Sequence, residues 1–214
     1  KKIGILTAGG DCPGLNAVIR ATTRTAIQEY GWRVFGIEDG YAGLIERRGH
    51  ELTTEMVAGI LTQGGTILGT SNRANPFKTP VIEGKRVRYV DLSKQAIRNF
   101  REWGLDVLVA VGGDGTLKIA SLLVKRGIPV IGIPKTIDND LSGTDFTFGF
   151  DTAVSIATDA IDRLHTTAAA HHRIMILEVM GRHAGWIALH AGMAGGADVI
   201  LIPEIPYSME RVRA

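Results

Sequence analysis

The chain has 214 residues, 45% of them hydrophobic, and carries 24 Lys and Arg against 22 Asp and Glu, for a net charge of +2 at pH 7. That length allows one sizeable core or two smaller α/β units, and the balanced charge, with no block of either sign, argues against capture of nucleic acid or of an anionic membrane. The single Cys12 cannot close an internal disulfide, no stretch has the order of a signal peptide, and the longest apolar runs are far short of a bilayer span, so a cytoplasmic protein is expected.

In chain order, the apolar run 2–7 predicts a strand, and 13–31 predicts a helix with Pro13 near its first turn and Gly31 as its stop. Residues 33–37 read as a second strand, 38–44 as a loop, and 53–65 as a short helix ended by glycines. The segment 66–90 is weakly patterned, with loop chemistry over 69–80 and an edge strand over 84–90. Asp91 is an N-cap candidate for a helix through Gly104, with Leu92, Ile97 and Phe100 at near-helical spacing. There follow a strand (105–111), a helix (115–127), a strand (128–133), a helix (151–171), a strand (173–179), a helix (184–196) and a strand (198–203). Continuous apolar strands alternating with helices predict mainly parallel sheets covered on both faces, with ligands at the C-terminal strand ends. The interruption at 141–149 suggests a domain break, giving 1–148 and 149–214.

Three strand-end loops hold the chemistry. "AGGDCPGLN" (8–16) lacks the spacing of a dinucleotide fingerprint, and the chain has no P-loop, yet Gly9 and Gly10 leave bare backbone where a helix begins, which suits a phosphate as well as it suits a tight turn. "VGGDGTLK" (111–118) repeats the arrangement with Asp114 between glycines. A carboxylate there can hold Mg²⁺ beside phosphate oxygens; the plainer alternative is a helix cap. In "IPKTIDNDL" (133–141), Thr136, Asp138 and Asp140 alternate, so an extended loop would aim a hydroxyl and two carboxylates at one spot. An aspartate so placed can take a proton from a hydroxyl attacking a phosphoryl group, although an Asx turn would also satisfy "DND". The histidines have no zinc-ligand spacing with the cysteine.

With "GFDTA", "VMGRHAGW" and "IPEIPYS" added in the same order, these motifs resemble the 6-phosphofructokinase family from end to end. "GGDG" alone would also suit NAD kinases and diacylglycerol-type lipid kinases, but "PKTIDND" and "MGR" are not in their pattern. The resemblance implies two similar three-layer α/β/α domains facing a central cleft, the second incomplete here. Residues 1–148 would bind the phosphoryl donor and 149–214 would form part of the sugar-phosphate domain. It implies that Gly10, Tyr41, Arg73, Gly113, Asp114, Gly115 and Thr116 line an ATP site, with Asp114 near Mg²⁺. Asp138 would be the general base for the 1-hydroxyl of fructose 6-phosphate, helped by Thr136, Gly10 and Arg182. Thr136, Asp138, Asp140, Met180, Gly181, Arg182 and Glu204 would contact that sugar phosphate, and Arg173 would reach a neighbouring subunit's site in a homodimer or homotetramer.

Family chains run well beyond 214 residues, so groups gripping the sugar 6-phosphate are expected outside this sequence, which as written would be a poor catalyst. Arg20 and Arg24 match two arginines of the bacterial allosteric site, whereas Gln63 and His165 stand where two others would be. Neutral groups there lose bidentate phosphate recognition, so regulation by nucleoside diphosphate or phosphoenolpyruvate is not expected to carry over. The resemblance implies that Gly115 goes with ATP, because a carboxylate in its place, as in pyrophosphate-using members, would repel the α-phosphate. Lys135 resembles the lysine of pyrophosphate users, which implies pyrophosphate as the alternative donor, but some ATP users also carry it, so it discriminates less than Gly115 and ATP is the donor expected. A catalytically silent nucleotide-binding regulatory subunit is the third reading, and the intact Asp114, Thr136, Asp138 and Asp140 weigh against it.

Overall fold

The computed structural model describes residues 1–84 and 86–213. Lys85, inside the expected edge strand, therefore lies outside the described residues. The chain divides into two compact units, Lys1–Lys135 and Thr136–Ala214, upstream of the boundary expected at 148.

The first unit holds β1 (Lys2–Ala8), α1 (Leu15–Gln28), β2 (Arg33–Ile37), α2 (Tyr41–Glu46), β3 (Gly49–Leu52), β4 (Thr79–Glu83), β5 (Arg86–Val90), α3 (Ser93–Glu102), β6 (Val107–Gly112), α4 (Asp114–Val124) and nearly all of β7 (Val130–Thr136). Its sheet runs β3-β2-β1-β6-β7, parallel except for the antiparallel β2–β3 pair, and β4 and β5 form a separate antiparallel hairpin. Strand alternation sends Leu6, Ala8, Leu108 and Ala110 to one face, against Tyr41, Leu44, Ala96, Phe100 and Leu123. Ile3, Ile5, Val109 and Val111 face the other way, against Leu15, Val18 and Ile19 of α1. A mainly parallel sheet with helices on both faces is the α/β architecture expected. α3 begins at Ser93 with Leu92 at its N-cap, so Asp91, the expected cap, stands one residue earlier, where its carboxylate accepts the Ser93 N–H at 2.8 Å.

Two further local expectations in this unit do not hold. Residues 38–44 are not all loop, because Tyr41 opens a short helix with Tyr41, Leu44 and Ile45 buried in the core. Residues 53–65 are turns rather than a helix, with three-residue bonds such as Ala58 N–H to Glu55 O and Gln63 N–H to Ile60 O. Gly59 and Gly65 sit at positive φ, which interrupts helical propagation, and burial of Val57 and Ile60 needs only a turn.

The second unit contains β8 (Phe148–Gly149), α5 (Phe150–His171), α6 (Trp186–Ala194) and α7 (Met209–Arg213). Phe150 and Ala157 of α5 pack on Ile187 and Ala191 of α6. The strands expected over 173–179 and 198–203 are not formed. Ile174 is 94% exposed and Ile176 88% exposed, and neither run has a ladder partner among the described residues. A strand is a paired object, and apolar content alone does not make one.

Candidate active site

β1 and β6 are neighbours in register, with Ala8 opposite Gly112 and Gly112 in turn opposite Pro134 of β7. The loops leaving β1 and β6 therefore emerge side by side, at the point where the chain order across the sheet reverses. Such a crevice at the carboxyl ends of strands is where open α/β sheets take ligands.

The first of these loops is held from below. Gly9, at φ 89°, donates its N–H to Ser71 O at 3.1 Å and accepts from the Thr70 hydroxyl at 2.6 Å. The Lys135 ammonium, on a residue only 5% exposed, donates to the Gly10 carbonyl. On its free side Gly10 is open, since a Cβ built there meets nothing within 4 Å. Cys12 beside it is buried, and burial pushes its thiol up to about 11 despite the opposing charge of Lys135.

In the second loop, Gly112 is obligatory on packing grounds, because a Cβ would come within 2.6 Å of the Thr116 side chain. Gly113 precedes α4 in extended conformation, and Asp114 is the helix's first residue. Asp114 makes no cap hydrogen bond; its exposed carboxylate meets the Lys118 ammonium at 2.5 Å, one turn on. The capping alternative is thus not adopted. Gly115 is open, with nothing within 4 Å of a built Cβ. Tyr41 is only 1% exposed and donates its hydroxyl to the Thr116 carbonyl at 2.9 Å, and burial raises its pKa. It holds the turn from within. Arg73 is exposed in the adjoining segment, its N–H on Ser71 Oγ at 3.3 Å.

No group of three or more His, Cys, Asp or Glu gathers among the described residues. Mg²⁺ asks for less than that, since it keeps several waters and takes one or two carboxylates plus phosphate oxygens. The single exposed carboxylate of Asp114, beside two bare glycines, fits that demand.

In the second unit, the loop after β7 is organised by a residue that the sequence reading passed over. Asn139 sits in left-handed conformation, φ 50°, and its amide oxygen accepts the Thr147 N–H at 2.9 Å while its amide nitrogen donates to Asp145 O at 3.2 Å. Thr147 also donates to Thr136 O at 2.7 Å. "DND" is therefore neither fully extended nor an Asx turn closed by its aspartates. Asparagine's tolerance of positive φ was the available signal. The Thr136 hydroxyl accepts the Asp138 N–H at 3.1 Å. Asp138 Oδ1 is buried without a hydrogen-bond partner, and burial first, then the neighbouring charge of Asp140, raises its pKa. Asp140 itself is exposed.

The remaining acceptor-side candidates are mostly on the surface. Arg173 follows the end of α5, its N–H on Ala168 O at 3.0 Å and its side chain exposed. Met180 and Arg182 are exposed, and Gly181 and Arg182 both hold positive φ in a turn closed by Ala184 N–H to Gly181 O at 2.8 Å. Glu204 accepts the Gly185 N–H at 2.8 Å, at the start of α6. Of the positions matched to the allosteric site, Arg20 donates to Val57 O at 3.2 Å and the His165 ring meets Gly195 O at 2.7 Å.

A family model described as phosphofructokinase matches residues 2–214. The chain is 58% identical over 214 residues to the ATP-dependent 6-phosphofructokinase 2 of Clostridium perfringens, covering 99% of this chain and 58% of that protein. It is 54% identical over 213 residues to the pyrophosphate–fructose 6-phosphate 1-phosphotransferase of Amycolatopsis methanolica, covering 99% of this chain and 59% of that one. The crystal structure of Pichia pastoris phosphofructokinase in the T-state matches with TM-score 0.83 at 39% identity, over 98% of this chain and 23% of that chain. The chain thus spans a little under 60% of the length of these curated relatives. It belongs to the phosphofructokinase family.

Proposed function

We propose that the chain supplies the phosphoryl-donor site, and part of the sugar-phosphate site, of a kinase that moves a phosphoryl group from ATP to the 1-hydroxyl of fructose 6-phosphate, giving fructose 1,6-bisphosphate. The observation that carries this reading is Asp138, a half-buried carboxylate with an unpartnered buried oxygen and a raised pKa, in a loop braced by Asn139 and Thr147. Buried polar atoms are ordinarily paired, so an orphaned acceptor is a place where a substrate hydroxyl can donate. As the sugar O1 attacks the γ-phosphorus, Asp138 takes its proton, the bond from phosphorus to the bridging oxygen breaks, and ADP leaves.

Donor binding falls to the first unit. Open backbone at Gly10 and Gly115 leaves room for phosphates, N–H groups at the start of α4 favour their charge, and Tyr41 and Lys135 hold the two loops in place. Asp114 would hold Mg²⁺, which when bound offsets negative charge on the phosphate oxygens. Thr136 steadies the loop of the base through its contact with the Asp138 N–H. Asp140, Met180, Gly181, Arg182 and Glu204 are assigned to the sugar phosphate, and Arg173 to the site of a neighbouring subunit in a cytoplasmic homo-oligomer.

Pyrophosphate as donor is the second reading, favoured by Lys135 and by the name of the Amycolatopsis methanolica relative. Against it, the Lys135 ammonium is buried and committed to the Gly10 carbonyl, while Gly115 leaves the space that an α-phosphate needs. The reading is tested by Asp138→Asn in the full-length protein. With the shape kept and the proton acceptor lost, kcat should fall by ~10² to 10⁴ with little change in sugar-phosphate binding. Turnover near that of the unaltered enzyme would remove Asp138 as the base.

A further inference from the structure

Away from both loops, the outer face of α3 and the turn after α4 border an open surface depression of about 410 Å³ lined by Lys94, Ile97, Arg98, Arg101, Glu102 and Arg126. Lys94, Arg98 and Arg101 stand at i, i+4 and i+7, on one stripe of the helix. All four basic side chains are exposed, and none makes an ion pair among the described residues. The one acidic lining residue, Glu102, is already spent on Arg47 at 2.8 Å, outside the pocket.

This arrangement is poor helix design. Like charges one turn apart repel, and a cation in the first turn, where Lys94 sits, opposes the helix dipole. Only Arg101, in the last turn, is favourably placed for the helix itself. Nearby compensation is partial: Arg126 lies 5.9 Å from the centre of the Phe77 ring, and the exposed Asp91 carboxylate, which accepts the Ser93 N–H, also feels the charges of Arg126 and Lys94, one acid against four cations. A chain whose total charge is +2 thus concentrates four positive groups around one open depression.

We propose that this pocket binds a small polyphosphate anion, separately from the phosphoryl-transfer site. Its volume lies in the range of small-molecule sites, and the stripe from residue 94 to 101 is ~10 Å long, the reach of a short phosphate chain rather than of a duplex or a membrane face. Three guanidinium forks suit bidentate contact with phosphate oxygens, and four cations call for an anion of high valence.

Inorganic tripolyphosphate is the probe, and acylation of individual lysines by an amine-reactive ester, read by mass spectrometry, is the measurement. Tripolyphosphate should slow labelling of Lys94 saturably at ~0.15 M salt, where weak surface attraction is screened. Lys118, paired with Asp114, reports on the donor loop separately, so failure of one site is distinguishable from failure of the other. The exposed double replacement Arg98→Gln with Arg126→Gln should raise the half-protection concentration at Lys94 by about tenfold or more, since charge-assisted bonds are lost. Labelling of Lys94 that tripolyphosphate leaves unchanged, or protection that the double variant leaves intact, would overturn the proposal.

Discussion

Asp138 makes its assignment testable without any substrate. Burial and Asp140 raise its pKa above that of an ordinary aspartate, so the charged form is disfavoured in the folded state. The stabilising contribution of this group is fully present below the unfolded pKa and is lost as pH rises through the raised folded value. Asp138→Asn should therefore melt at a higher temperature than the parent at neutral pH, with the gain shrinking toward acid pH. If Asp138 is the base, activity of the full-length enzyme should fall on the acid side through a pKa above the usual aspartate range, because that base must be ionised. A variant less stable than the parent at neutral pH would contradict the burial account. The aspartates themselves were legible as chemistry from their spacing. What holds them was not, because Asn139 works through Asp145 and Thr147, contacts made across the loop rather than along the sequence.

Among the elements, the strands and long helices of the first unit were readable because each apolar run meets a paired neighbour in one sheet, as Ile3 to Ala8 do with Val107 to Gly112. The apolar runs 173–179 and 198–203 carry the same local signal without such a neighbour, and they remain unpaired. Period and composition report what a segment could bury, not what it finds. The α2 helix was missed for the opposite reason: its six residues are too few to show a period, and tertiary burial of Tyr41, Leu44 and Ile45 accounts for it. Tyr41 also ties α2 to the turn before α4. Tyr41→Phe removes the donor and leaves the Thr116 carbonyl without that partner in a buried setting, at a cost of about 1–3 kcal/mol. Chemical denaturation should register that loss, and in the full-length enzyme the KM for ATP should rise more than kcat falls. An unchanged midpoint would mean that the hydroxyl does not support the turn.

For the whole molecule, family membership extends along nearly the entire chain, but the chain spans a little under 60% of its curated relatives. Tests of turnover accordingly belong to the full-length protein. The exposed Arg173 carries the proposal about assembly. If it serves a neighbouring subunit's site, Arg173→Ala should weaken fructose 6-phosphate binding, and mixing it with Asp138→Asn subunits should restore activity in sites built from the two intact halves. Proven subunit exchange without recovery would place Arg173 outside any shared site. The choice of donor remains the point on which the proposed reaction turns, and the open space at Gly115 is set against the buried, engaged Lys135. The most direct measurement is the rate of fructose 1,6-bisphosphate formation by the full-length protein from fructose 6-phosphate, with ATP and with pyrophosphate, before and after Gly115→Asp. The account predicts faster turnover with ATP and its sharp loss in the variant. Faster turnover with pyrophosphate in the unmodified protein would contradict it.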